Sequence, residues 1–199
     1  MHGLINRAIE RFIRDTYGRD IWLKIVQSLD LGLTEFEAMM TYDEAITHQV
    51  LDRAAEVLER PRHDLLEDIG TYLVSHPNVE ALRRLLRFGG MTFEEFLHSL
   101  DDLPERARLA VSDLQLPRLE LRGHTRASYS LVVQAGQKDI GEFGYVMMGL
   151  LRTMADDYGA LVYLEHKGGR NGTEIIAVEL LETAFADGRN FSLGAGVAG

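Results

Sequence analysis

The spacing of apolar residues changes once along the chain, near Pro117, and that change restricts what it can fold into. From Leu4 to about Leu103, apolar side chains recur every three or four positions, which predicts amphipathic helices packed on one another. Turn signals at Tyr17-Gly18, Leu31-Gly32, Arg60-Pro61, His76-Pro77 and Gly89-Gly90 separate them. Residues Thr41 to Glu44 read as the cap of a helix carrying Ile46, Val50, Ala54 and Val57. Thr92 with Glu95 reads as a capping box for the helix that follows. Proline cannot sit in a helix interior without losing a hydrogen bond, so that helix is expected to end near Leu103, before Pro104.

Beyond Pro117 the pattern becomes one of alternation. "RLELRG" and "ASYSLVVQAG" predict two strands joined by a short polar turn at Gly123-His124. One long amphipathic helix follows, with Phe143, Val146, Met147, Leu150, Leu151 and Met154 on a single stripe. "ALVYLEHKGG" and "TEIIAVELLE" then predict two more strands, joined by the turn-forming run Gly168 to Gly172. The expected class is α+β: an N-terminal helical subdomain followed by a four-stranded antiparallel sheet with one long packed helix. The expected domain is 1–182, divided into N-terminal helices (1–60), middle helices (61–117) and sheet plus helix (118–182). The glycine-rich residues 183–199 are expected to form a flexible tail.

Composition excludes several functions. Thirty-one acidic residues against 21 Lys and Arg give a net charge of −10, which argues against nucleic acid as a partner. Arg83, Arg84 and Arg87 gather in one place, but acidic residues surround them. With no cysteine there is neither a disulfide nor a thiolate metal site. The charged N-terminus lacks the apolar core of a secretory signal and no run approaches a membrane span, so the expected location is the cytoplasm, with no membrane partner.

No pair of histidines stands three or four apart, as a zinc-hydrolase helix needs. The glycine-rich Gly168 to Gly172 precedes a strand, where a phosphate cradle needs a helix N-terminus. The neighbours Asp101-Asp102 and Asp156-Asp157 point to different sides of a helix and make no acid/base pair. The chain is therefore not expected to be an enzyme. Met39, Met40, Met147, Met148 and Met154 are flexible enough to line a pocket or fill a core. Trp22, on a stripe with Ile25 and Val26, reads as a core anchor.

Gly3, Tyr17-Gly18 and Trp22, in that order within "MHGLINRAIERFIRDTYGRDIWLKIV", resemble the start of the heme nitric-oxide/oxygen binding (H-NOX) family. "YDEAITHQVLDRAAEVLERPRHDLLEDIGTYLV" is similar to the family's middle helices, and "MTFEEFLHSLDDL" to the helix that presents the iron ligand. The resemblance covers Met1 to about Glu182. It implies a helical part and a sheet part with heme between them.

The family's two most specific features are altered. Its iron-ligating histidine directly follows the "FLxxLDxL" pattern, and here that position is Pro104. Pro117, 13 residues further on, matches the family's heme-contacting proline. The Tyr-x-Ser-x-Arg motif that holds the heme propionates falls, by register from the long helix, on Val133, Ala135 and Gln137. A glutamine cannot supply the charge of a bidentate arginine clamp. His98 is the nearest substitute iron ligand, yet it falls with Glu94, Asp101 and Asp102, off the apolar stripe.

The resemblance thus implies a stand-alone heme-binding sensor of nitric oxide or a related gas. Such a sensor regulates a separate enzyme by contact, either a diguanylate cyclase or phosphodiesterase, or a histidine kinase. The alternative is a heme-free interaction module that has lost gas sensing.

Overall fold

A computed structural model describes residues 1–135 and 142–182. The predicted tail, 183–199, and Gln137 lie outside the described residues. The helices are α1 (Gly3–Tyr17), α2 (Arg19–Ser28), α3 (Glu44–Leu58), α4 (Arg62–Ser75), α5 (Glu80–Arg87), α6 (Phe93–His98), α7 (Leu103–Ala110) and α8 (Phe143–Tyr158). The strands are β1 (Arg118–Gly123), β2 (Ser128–Gln134), β3 (Leu161–Arg170) and β4 (Thr173–Glu182). They form one antiparallel sheet in the order β1-β2-β4-β3. The predicted α+β class and the sheet with one long helix are borne out.

Local chemistry explains several of the element ends. The Asp43 carboxylate accepts from the Ala45 N–H at 2.9 Å and starts α3. The Thr92 hydroxyl accepts from the Glu95 N–H at 3.2 Å, and the Glu95 carboxylate accepts from the Met91 N–H at 2.7 Å. The first bond satisfies one of the donors a helix start leaves free, and the second ties down the N–H of the residue just before the cap. Asn171 and Gly172 both take positive φ between β3 and β4, the two-residue turn that suits the twist of a hairpin.

Two apolar clusters make the core. One gathers α1 to α4 around Ile13, Trp22, Ile25, Phe36, Leu51 and Leu65. Trp22 is fully buried there, and its indole N–H donates to the Thr34 carbonyl at 2.7 Å. The other cluster lies under the sheet, where Leu131, Val133, Ile176 and Val178 face Met147, Leu151 and Met154 of α8. Met39 and Met40, by contrast, are 74% and 56% exposed and belong to neither cluster.

The clusters meet where α4 crosses α8. A Cβ on Gly70 would fall on the Val146 carbonyl, and one on Gly149 on the Glu67 carbonyl, so the two backbones touch. Arg152 of α8 also pairs with Glu67 of α4. Among the described residues, no helix is long and apolar enough to cross a membrane.

Candidate functional site

The segment that should present a ligand is not one helix. α6 ends at His98, residues Ser99–Asp102 form a 3-10 turn, and α7 restarts at Leu103 with Pro104 in its first turn. The helix therefore stops before the expected Leu103. An α-helix running through position 104 would need an N–H there to bond the Leu100 carbonyl, and proline has none. In a first turn that N–H has no helical partner anyway, so Pro104 starts a helix without loss. The Asp101 carboxylate accepts from the Leu121 N–H at 2.7 Å and fastens the turn to β1.

Pro104 is buried at the side of a polar groove of about 430 Å³, with Asp101, Asp102, Glu105, Arg108 and Arg118 around it. Its ring offers no lone pair to a metal. His98 is exposed, its ring perpendicular to that of Tyr129 with the two centroids 5.9 Å apart. The Tyr129 hydroxyl donates to Glu94 at 2.7 Å, and burial together with that bond pushes its pKa up to about 12. Val133 is buried on β2, opposite Leu119 of β1 and Glu174 of β4. The Ala135 N–H donates to the Gly172 carbonyl at 2.8 Å. Pro117 is buried at the start of the sheet.

A second space, about as open to the surface as the groove, lies at the boundary between the clusters. It is a cavity of about 160 Å³ walled by Ile5 and Ile9 of α1, Leu66 and Ile69 of α4, Leu116 of the linker and Val146 of α8. Among the described residues, every side chain lining it is a hydrocarbon. Neither Pro104 nor His98 is among them, and among the described residues none of the lining side chains carries a nitrogen, oxygen or sulfur. Among the described residues, no group of three or more His, Asp or Glu is placed to hold a metal ion. Sites for drug-sized ligands take about 300 Å³ or more, and a porphyrin is at least that large. The residues present therefore do not fit a histidine-ligated heme.

Sequence reading missed two polar clusters. Glu10, fully buried on α1, accepts from Arg7 at 3.0 Å, from Arg14 at 2.7 Å and from the Phe36 N–H at 2.8 Å. The arginines stand three residues before and four after it, so their spacing was the available signal. The second cluster is at the start of α8, where the buried Glu174 accepts from the Gly144 N–H at 3.1 Å and lies 2.8 Å from His166 Nε2. A carboxylate there completes free helix donors and meets the positive end of the helix dipole. His166 stacks on Tyr145 with ring centroids 4.2 Å apart. Gly144 leaves room for both groups, since a Cβ there would strike Glu174 and His166.

The family model described as "Haem-NO-binding" matches residues 2–166. Among solved structures, an unliganded Fe(II) H-NOX mutant from K. algicida superposes with a TM-score of 0.76 at 18% identity. It covers 93% of this chain and 99% of that one. The S. oneidensis H-NOX protein in its Fe(II)NO state gives 0.74 at 16% identity, covering 92% and 100%. Soluble guanylate cyclase gcy-35 of Caenorhabditis elegans is 28% identical over 157 residues, 78% of this chain. The same organism's gcy-31 is 24% identical over 159 residues, 79% of this chain. The chain spans 22% of the length of each of these two cyclases.

Proposed function

From the premise that this chain belongs to the haem-NO-binding (H-NOX) family, we propose that it is a non-catalytic cytoplasmic sensor module that does not use a histidine-ligated heme. Its output passes by contact to a separate signalling enzyme, a diguanylate cyclase or phosphodiesterase, or a histidine kinase. The family, one of heme-based gas sensors related to soluble guanylate cyclases, supports the sensor role. The observation that carries the heme-free half is the all-hydrocarbon cavity of about 160 Å³, with Pro104 and His98 outside its wall. Occupancy of that boundary shifts the helical cluster against the sheet cluster, a change between two packings that a partner surface can read.

A second reading, a heme-bound sensor of nitric oxide, is favoured by the family match itself. It requires an iron ligand to enter from outside the cavity, with His98 the nearest.

Anaerobic titration with ferrous heme, followed by nitric oxide, separates the two readings. The expected result is the broad spectrum of adsorbed porphyrin, insensitive to nitric oxide. A saturable, sharp Soret band that shifts with nitric oxide overturns the heme-free reading, and His98→Ala then tests the substitute ligand.

A further inference from the structure

We infer that the cavity between α1, α4 and α8 is a binding site for one small, uncharged apolar molecule of about the size of benzene or indole. The inference rests on the heme-free reading and names the ligand class that reading leaves open. Size is the first observation. At about 160 Å³ the space is close in volume to an apolar cavity of about 150 Å³ that takes up benzene or xenon.

Chemistry is the second. With hydrocarbon on every wall, a charged or strongly hydrogen-bonding ligand would lose its water and gain no partner. An uncharged ring or short alkyl group loses little and gains dispersion contact with side chains that otherwise face a gap.

The third observation is that the walls are held apart. The touching backbones at Gly70 and Gly149 fix the crossing of α4 and α8. On α1, Glu10 is bound to the Phe36 N–H, and Asn6 accepts from the Thr47 hydroxyl at 2.6 Å. Moving α1 inward to fill the gap would break these buried bonds, so the gap persists, and sites that cannot collapse keep their cavities. Its place at the meeting of the two clusters also means that filling it bears on both.

The test is a titration of methyl-labelled protein with benzene and indole, with benzoate as the charged counterpart, read by methyl NMR and thermal melting. Benzene and indole are expected to shift the Ile5, Ile69 and Val146 methyl signals saturably and to raise the melting temperature, while benzoate at equal concentration does neither. Ala8→Phe, which projects a ring from the cavity wall, is expected to weaken benzene binding about tenfold or more, a loss of about 1.4 kcal/mol. If that variant does not fold, Leu73→Trp fills the same space from α4.

Unmoved methyl signals, or shifts of equal size with benzoate or in a folded filling variant, overturn the site. When that happens alongside a broad heme spectrum, the heme-free module survives and the cavity assignment alone falls. A sharp, nitric-oxide-sensitive Soret band instead removes the heme-free reading, and this inference with it.

Discussion

Asp15 on α1 accepts from the Tyr72 hydroxyl at 2.6 Å and from the Asn78 side-chain amide at 2.9 Å. Burial works to raise its pKa, but these bonds, with the charges of His76 and Arg11, outweigh that and hold it below the ordinary 3.8. Burial and the same carboxylate push the Tyr72 hydroxyl up. A carboxyl depressed in the folded state stabilises fully above its ordinary pKa, and that stabilisation is lost as pH falls through the folded value. Asp15→Ala is therefore expected to cost about 1–3 kcal/mol at neutral pH. It should also flatten the loss of stability below about pH 4, both read from urea melts at a series of pH values. Residues whose partners are close in sequence were legible: Asp43 and Thr92 as caps and Trp22 as an anchor. Asp15, Glu174 and His166 were not, because their partners come from other elements and nothing local marks them.

The crossing of α4 and α8 is set by what its glycines lack. On α8, Gly149 lies against the Glu67 carbonyl with no room for a methyl group. Gly149→Ala is expected to force the helices apart and cost about 1–3 kcal/mol, seen as a lower thermal midpoint. A control at Gly159, where a Cβ would meet nothing but φ is +66°, should lose less, through backbone strain alone. Periodicity revealed the helices and strands, and turn chemistry their joints. The break at His98 was not legible, because the rule that keeps proline out of a helix interior allows it equally at the end of one helix or the start of the next. The candidate cavity was not legible: Pro104 and His98, which the motif singled out, do not line it, and its size depends on how closely α1, α4 and α8 approach one another.

At the scale of the molecule, the two clusters share α8, with Val146 turned toward the helices and Met147 and Leu151 toward the sheet. Loss of either cluster strips one face of that helix, so the domain is expected to unfold in a single transition. The one tryptophan of the chain makes this visible. Trp22 is sealed among Ile25, Val26 and Phe36 with its N–H bonded to Thr34, so its emission should be blue-shifted when folded and report the helical cluster alone. Far-UV circular dichroism at strand-weighted wavelengths reports the other half. Coincident urea midpoints in the two signals are expected, and separated midpoints would show that the halves come apart independently. The same indole then gives a built-in optical reporter, remote from the sheet, of anything that disturbs the helical half.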